Sequence, residues 1–282
     1  MNVWRAGRRA KIVPMKNVLR AVISLGFLAT LICVERRRPL RVKRESKLGR
    51  SARNLAMASL SALTIHFVET PVVHPLASLV KRKRWGLLKR LNLPKPVERV
   101  AALLLMDYTL YLWHVLVHRH PALWRFHAVH HVDLDVDAST GLRFHFGELA
   151  ISVPFRALQV LLIGVDRESL TAWQTFLSFC ILFHHSNVRV PEKTERLVSL
   201  FVVTPRMHGI HHSSDARQGA SNWSSGLSVW DFLHGTFRLD VPQEEITVGV
   251  RGIEKPEQVT LPKMLEMPFN EPEAVRAYLK TQ

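Results

Sequence analysis

Residues 100–117 read VAALLLMDYTLYLWHVLV, and His118-Arg119-His120 follows directly. A helix rises about 1.5 Å per residue, so this apolar stretch would extend about 27 Å, close to the thickness of the hydrocarbon core of a bilayer. Asp107 is its only acidic residue and His114 its only histidine. The stretch therefore predicts a membrane-crossing helix whose last turns carry histidines.

Other apolar runs lie on both sides of this stretch, and most are shorter than a comfortable span. Arg156 interrupts one of them, so some runs could be tilted or re-entrant. Gly164-Val165-Asp166 separates the last two runs and leaves room only for a tight turn. We therefore expect an all-α fold of about four integral membrane helices with a cytosolic helical cap. The runs are 17–34, 55–68, 149–165 and 169–183.

The positive charge of the chain is concentrated in its first third. The formal net charge is +16, and residues 1–99 hold 23 of the 39 basic residues and four acidic ones. These basic clusters flank apolar runs, as expected where Lys and Arg meet anionic headgroups, so the charge favours a membrane over a nucleic acid partner. The two cysteines, Cys33 and Cys180, lie in apolar runs and exclude a disulfide framework.

The flanks of the first apolar run predict a retained anchor. The basic segment Arg5–Lys16 precedes the run, as it would in a signal peptide, but Glu35-Arg36-Arg37-Arg38 follows where a cleavage site would need small residues. The orientation is not settled by charge, because linkers 35–54 and 74–99 would face opposite sides and hold nine and eight basic residues.

Histidines are strongly clustered. Eleven of the 15 fall within residues 114–131 and 184–212, and each window contains a His-x-x-His-His triplet, at His127-His130-His131 and at His208-His211-His212. Positions i, i+3 and i+4 share one helix face, so we expect each triplet to direct three imidazoles into one volume. Protonated rings would repel one another and buried neutral rings would each need a partner, whereas a metal ion accepts the lone pairs.

The number of histidines indicates two metals. A catalytic zinc needs three protein ligands and a structural one four, so eight or more clustered histidines exceed the requirement of one ion. Imidazole suits iron, zinc, copper and nickel alike, and spacing does not choose among them. The Glu-x-x-His pairs of carboxylate-rich di-iron bundles are absent from the sequence.

In this order, the motifs resemble those of the fatty acid hydroxylase/sterol desaturase superfamily, most closely its bacterial-type sterol desaturase-like branch. The resemblance covers about residues 98–240 and rests on the combined set, since each motif alone would be weak. The motifs are Asp107, His114-x-x-x-His118-Arg119, His127-x-x-His130-His131, Thr140-Gly-Leu-Arg143-Phe-His145-x-x-Glu148, His185-Ser-Asn187, Thr204-Pro205-x-x-His208-x-x-His211-His212 and Trp230-Asp231 with Gly235-Thr236.

The resemblance implies a cytosol-facing pair of iron ions, with zinc as an alternative occupant of purified material. It assigns no catalytic side chain beyond the metal ligands, and His184 and His145 are further candidate ligands. Four polar residues are expected to support the ligating rings from outside, because metal-bound histidines usually donate their second N–H to such groups. They are Asp107, Glu148, Asn187 and Asp231. The implied ligands are His114, His118, His127, His130, His131, His185, His208, His211 and His212.

The expected activity is O2-dependent hydroxylation or desaturation of an unactivated C–H bond in a lipid: a fatty acyl chain, a sterol or a related molecule. No Gly-x-Gly-x-x-Gly motif and no cysteine set for an iron–sulfur cluster occurs, so electrons would come from a separate protein. The alternatives are a hydrolytic or a non-catalytic metal-binding membrane protein. A hydrolase would need an acid within a triplet, as in His-Glu-x-x-His, and neither triplet contains one.

These expectations divide the chain into three parts. Residues 1–97 form a basic N-terminal region with two membrane helices, residues 98–240 the histidine-rich catalytic domain, and residues 241–282 an acidic cytosolic tail. We expect a multi-pass protein of the bacterial cytoplasmic membrane rather than the endoplasmic reticulum, with its site facing the cytosol.

Overall fold

The computed structural model describes residues 15–281, so most of the basic segment Arg5–Lys16 lies outside the described residues. Within that range the chain forms helices joined by turns and isolated backbone bridges, which confirms the predicted all-α class. The helices are α1 (Met15–Arg37), α2 (Lys47–Thr64), α3 (Thr70–Lys83), α4 (Leu87–Arg90), α5 (Lys95–Arg119), α6 (Pro121–His131), α7 (Phe146–Ile163), α8 (Arg167–His185), α9 (Glu192–Val198), α10 (Pro205–His211), α11 (Ala216–Gly219), α12 (Val229–His234), α13 (Leu261–Asn270) and α14 (Glu273–Thr281).

Three helical segments of the described residues are long and apolar enough to cross a membrane. They are Lys47–Arg90, α5 and α7. The remaining long helices, α1 and α8, pack along each other, with the rings of Phe27 and Phe179 in an edge contact at 5.0 Å. The run Val100–Val117 lies within α5 as expected, and the fold prediction of membrane helices is confirmed.

The segment Lys47–Arg90 extends much farther than the apolar run 55–68 predicts. A π-helical turn, Ile65–Glu69, joins α2 to α3, and the backbone N–H of Thr70 donates to the carbonyl of Ile65, five residues earlier. Pro71 follows and has no N–H to donate, so the wider turn lets the helix continue past it. The polar residues in this stretch therefore mark a local widening of the helix rather than its end.

The turn between α7 and α8 anchors the end of the bundle opposite the histidines. Gly164 ends α7 at φ +87°, and Asp166 caps α8 by accepting from the backbone of Ser169. Gly86 packs directly on this turn, since a Cβ built on it would lie 2.3 Å from the Gly164 Cα. Lys89 pairs with Asp166 at 3.0 Å and also with Glu98.

The cap, defined here as residues 120–145 and 186–281, lies at the other end of the bundle, where α5 and α8 end and α2 and α7 begin. Arg50 of α2 pairs with Asp137 of the cap at 2.7 Å. Glu35 accepts from the backbone of Ala138 and Asn187. The linker 35–54 therefore lies beside the cap, and the basic residues of 81–95 lie at the far end.

The C-terminal segment packs against α6 through an apolar core. Trp124 is fully buried, stacks on Tyr278 at 5.2 Å and donates its indole N–H to the carbonyl of Val275. Met264 and Met267 of α13 belong to the same core. The residues after 240, predicted as a tail, thus include two helices that cover the outer face of the histidine-bearing helix α6.

Candidate metal centre

Four helix ends bring the histidines together at the boundary between bundle and cap. His114 and His118 lie in the last turns of α5, and His185 ends α8. The triplets lie on the two short cap helices α6 and α10, each of which begins with proline at its first turn. In α10, Thr204 also caps the helix by accepting from the backbone of Met207.

The nine histidines predicted as ligands lie together as two adjoining groups, and every one of them is buried. Within each group, one ring nitrogen from each residue lies within 4.8 Å of the others. Such an arrangement could hold one metal ion per group. The first group is His114, His118, His127, His131 and His211, and the second is His130, His185, His208 and His212.

Each triplet divides between the two groups instead of occupying one volume. His127 and His131 enter the first group while His130 enters the second. In the second triplet the pattern is reversed, because His208 and His212 enter the second group and His211 the first. In each triplet, the residues at i and i+4 thus belong to one group and the residue at i+3 belongs to the other. The expectation of a single volume per triplet is too simple for this geometry.

The spacing of the inner nitrogens fits metal coordination. His130 Nε2 lies 2.9 Å from His185 Nε2, and the latter lies 2.9 Å from His208 Nε2. In the first group, His114 Nε2 lies 3.2 Å from His127 Nε2. Metal–imidazole bonds of about 2.1 Å place adjacent ligand nitrogens about 3 Å apart. The observed distances match this value.

The outer nitrogens of five rings meet acceptors, which fixes the inner nitrogen as the available lone pair. His127 Nδ1 donates to Glu148 Oε1 at 2.8 Å. The other four donate to backbone carbonyls: His114 to Trp223, His130 to Arg143, His185 to Ile181, and His211 to Ser221.

Several buried ring nitrogens have no hydrogen-bond partner in the described structure. They include both nitrogens of His131 and the Nε2 of His211. Burial and the neighbouring His127 ring lower the pKa of His211 to about 3, and burial with His212 lowers the pKa of His131 well below its usual value. Neutral buried imidazoles with unused lone pairs are the form that binds metal. The residues present therefore fit a pair of metal ions.

The four polar residues expected around the ligands occupy different positions. Glu148 contacts a ligand candidate directly, through His127. Asp231 accepts from the backbone of Trp223 and Ser224, and so holds the loop whose carbonyl meets His114. Asp107 accepts from the backbone of Leu227 and the indole of Trp230. These contacts hold residues 227–230, at the start of α12, and none of them involves a histidine.

Asn187 and the two further candidate ligands lie outside both groups. Asn187 exchanges hydrogen bonds with the backbone of Arg41. His145 caps α7 by accepting from the backbone of Gly147. His184 is buried against the second group, with its ring centroid 4.0 Å from that of His208.

A buried ionic cluster that the sequence reasoning missed holds the first triplet in place. Asp133 pairs with Arg143 at 2.9 Å, and Arg143 also donates to the carbonyl of Val129 in α6. Burial raises the pKa of Asp133, but Arg50 and Arg143 outweigh that effect and the pKa lies below its ordinary value. The alternating acids Asp133, Asp135 and Asp137 directly after the triplet are the signal that could have revealed it.

Aromatic rings enclose the histidines. Trp223 lies against His118 with centroids 4.6 Å apart and is 2% exposed. Phe144 stacks on His130 at 4.5 Å, and Trp124 lies 4.9 Å from His118. These rings shield the centre from water, which strengthens electrostatic interactions inside it.

Comparisons with known proteins agree with the site. The family model described as fatty acid hydroxylase matches residues 99–236. Ornithine lipid hydroxylase OlsE of Rhizobium tropici is 32% identical over 56% of this chain and 47% of its own length. Cholesterol 25-hydroxylase of Mus musculus is 28% identical over 55% of this chain and 52% of its own. Alkylglycerol monooxygenase of Homo sapiens is 26% identical over 59% of this chain and 36% of its own length.

The aligned part of the chain spans about half or less of the length of these curated relatives. No solved structure matches the chain significantly. The matched residues 99–236 contain all nine histidines of the two groups and coincide with the region of about 98–240 predicted from the motifs. Residues 99–236 therefore belong to the fatty acid hydroxylase family, which confirms the predicted resemblance to the fatty acid hydroxylase/sterol desaturase superfamily.

Proposed function

We propose that this protein is a membrane-bound di-iron oxygenase that oxidises an unactivated C–H bond of a lipid. The observation that carries the proposal is the convergence of nine buried imidazoles into two adjoining groups, with ring nitrogens at ligand spacing. The relatives, which are named as hydroxylases and a monooxygenase of lipids, support the same class of reaction.

A pair of iron ions, when bound, would supply the reduction of O2 by two external electrons, with one oxygen atom entering the substrate and the other leaving as water. His114, His118, His127, His131 and His211 would hold one ion, and the remaining four grouped histidines the other. The chain carries no motif for a flavin, nicotinamide or iron–sulfur group. A separate electron-donor protein is therefore part of the proposal.

The chain's own side chains would orient the ligands and exclude water. Glu148 fixes the ring of His127, and Asp231 holds the loop that fixes His114 through the Trp223 carbonyl. Trp223 and Phe144 cover the ring faces of the two groups. A preorganised, dry site keeps the reactive centre from being quenched by bulk water.

The position of the site supports a lipid substrate. The first group includes two histidines from the last turns of α5, a helix with the length and apolar character of a membrane span. The centre therefore lies beside an apolar span, on the side from which a bilayer lipid would approach it without crossing water. We propose the bacterial cytoplasmic membrane because the ornithine lipid hydroxylase relative is from the bacterium Rhizobium tropici. We propose that the cap faces the cytosol because the resemblance of the motifs implies it, since nine basic residues in 35–54 and eight in 74–99 give no preference.

The test is mass spectrometry of lipids from cells with and without the protein, grown under oxygen-18 gas. Gain of one labelled oxygen identifies a hydroxylase, and loss of two hydrogens without label identifies a desaturase. His127→Ala should abolish the product, while His120→Ala, at an exposed histidine outside both groups, should retain it. A protein that holds only zinc and makes no oxygen-dependent product would overturn the proposal.

A further inference from the structure

One exposed apolar surface of the cap is not explained by the metal centre. Two short segments form it, the end of α9 with the residues after it and helix α12. Backbone contacts join them, since Ser228 donates to the Phe201 carbonyl and Val203 to the Gly226 carbonyl. We call this the α9–α12 surface. Its exposed apolar members are Leu197, Leu200, Phe201, Val229, Phe232 and Leu233, with 42% to 66% of each residue accessible.

The α9–α12 surface lies against the middle of α5 rather than beyond its end. Trp230 donates to Asp107 at 2.8 Å, and its ring lies 4.9 Å from that of Tyr108. His234 stacks on Tyr111 with centroids 4.9 Å apart. Asp107 precedes His114 by two helical turns, about 10 Å along the axis. Helix α12 is therefore placed at a depth that the apolar part of α5 occupies in the bilayer.

The composition of the segments suits that depth. Residues 197–205 contain no Asp, Glu, Lys or Arg, and residues 220–237 contain only Asp231. Asp231 is fully buried and hydrogen-bonded to the Trp223 and Ser224 backbone and the Thr236 hydroxyl. The exposed side of the surface thus presents no charge, and a surface of this kind would be costly to leave in water.

Basic residues border the surface where it would meet headgroups. Lys193 and Arg196 precede it and are exposed, beside the exposed Glu192, and Arg238 follows it and pairs with Asp240. The exposed leucines of α5, including Leu104 and Leu112, belong to the same span that α12 contacts. The apolar surface is therefore continuous in depth with a membrane-crossing helix, and charged residues that include Lys193 and Arg196 begin where it ends, the pattern of an interfacial segment.

We propose that the α9–α12 surface is embedded in the bilayer and is covered by lipid acyl chains. This inference depends on α5 spanning the membrane and not on the oxidative reaction. One face of the loop 220–237 then contacts lipid, while its Trp223 carbonyl contacts His114 on the other face. The same short segment separates bilayer lipid from the metal centre.

The test uses single cysteines in a Cys33→Ser, Cys180→Ser background, labelled with a small thiol-reactive fluorophore and reconstituted in phosphatidylcholine vesicles. Phe232→Cys and, independently, Leu233→Cys report on the surface. Leu104→Cys on α5 is the lipid-facing control, and Glu254→Cys, exposed in the cap, is the aqueous control. Quenching is measured with a nitroxide at carbon 12 of the lipid chain and with iodide in water.

Labels at both surface positions should be quenched by the lipid nitroxide as strongly as the label on Leu104→Cys. Their quenching constant for iodide should be several-fold smaller than that of Glu254→Cys. Iodide quenching equal to that of Glu254→Cys, without lipid quenching, would overturn the proposal. Disulfide cross-linking between two copies through Phe232→Cys, again without lipid quenching, would overturn it in favour of a dimer surface.

Discussion

The imidazole rings of His131 and His212 are stacked, with centroids 4.2 Å apart and planes 14° apart, although the two residues belong to different groups. The two groups are therefore in direct contact through the rings of two ligand candidates. Each triplet contributes residues to both groups, His130 of α6 to the second and His211 of α10 to the first. Neither group is therefore complete without both helices. The site depends on the docking of these two cap helices, and 74 positions of sequence separate the end of α6 at His131 from the start of α10 at Pro205.

The division of the triplets predicts how metal content responds to single substitutions. His131→Ala removes a ligand candidate of the first group only, and His212→Ala one of the second group only. Each variant should weaken metal binding in its own group, so that a competing chelator that leaves the unsubstituted protein loaded removes about one of two ions per chain from each single variant and about two from the double variant. Elemental analysis of the purified protein provides the measurement.

His120→Ala is the matched control for this experiment, because His120 is exposed and belongs to neither group. Its metal content should equal that of the unsubstituted protein. If His131→Ala and His212→Ala also retain a full complement, the two groups do not hold the metal.

Glu148 should tune metal affinity without being a ligand. Its Oε1 accepts the Nδ1–H of His127 at 2.8 Å, which fixes the ring with its Nε2 facing the first group. Loss of such a partner typically lowers metal affinity about 10- to 100-fold. Glu148→Ala should therefore release metal at a correspondingly lower concentration of a competing chelator than the unsubstituted protein does. Glu148→Gln keeps an acceptor oxygen, so its release concentration should lie between those of Glu148→Ala and the unsubstituted protein.

Asp240→Asn serves as the comparison, since Asp240 is an exposed acid that pairs with Arg238 on the surface. Its chelator titration should overlay that of the unsubstituted protein. Identical titrations for Glu148→Ala and the unsubstituted protein would show that the His127–Glu148 contact does not support metal binding.

The sequence predicts the membrane helices and the set of clustered histidines because both depend on local patterns. Apolar length identifies α5 and α7, and the triplets identify α6 and α10. The direction in which each imidazole points depends on how α6 faces α10 across the site, and periodicity alone does not contain that angle. For this reason the assignment of His130 and His211 to opposite groups emerges only from the structure.

Two other features depend on distant contacts. The continuation of α2 into α3 requires the π turn before Pro71, whereas hydropathy indicates an interruption at His66 and Glu69. The pairing of Arg50 with the acids after the first triplet joins residues more than 80 positions apart. A single sequence gives no sign of which acid such an arginine will meet.

Replacing Gly86 by a larger residue should destabilise the protein, because of its positive φ and because of its close packing on Gly164. Its φ is +89°, and a Cβ would lie 2.3 Å from the Gly164 Cα. Neither backbone segment can move without disturbing the α7–α8 turn, so Gly86→Ala should lower the free energy of unfolding by more than about 1 kcal/mol. Thermal unfolding in detergent measures this change as a lower midpoint temperature.

Gly26 provides the opposite case. It lies within α1, and a Cβ there would meet nothing within 4 Å. Gly26→Ala should leave the midpoint unchanged or raise it, since alanine favours a helix over glycine by about 1 kcal/mol. A larger loss for Gly26→Ala than for Gly86→Ala would contradict the close packing of Gly86 on the turn.

Arg50 should be essential for holding the first triplet against the bundle. Its guanidinium lies 2.7 Å from Asp137 and 3.6 Å from Asp133, and the residue is 2% exposed. Arg50→Met leaves the buried Asp137 without its counter-charge and Asp133 with Arg143 alone, and breaking a buried pair in this way typically costs about 3–5 kcal/mol. The midpoint of thermal unfolding should fall sharply, and Arg50→Lys should recover only part of the loss because one ammonium cannot reproduce the guanidinium contacts.

Arg217 is the matched comparison, because its pair with Asp215 is largely exposed to solvent. Arg217→Met should change the free energy of unfolding by less than about 1 kcal/mol. If Arg50→Met unfolds at the same temperature as Arg217→Met, the buried cluster does not contribute to stability. If it unfolds earlier but retains all of its metal in the folded state, the cluster stabilises the cap without positioning His130 and His131, and the link from Arg50 through Asp133 and Arg143 to α6 fails.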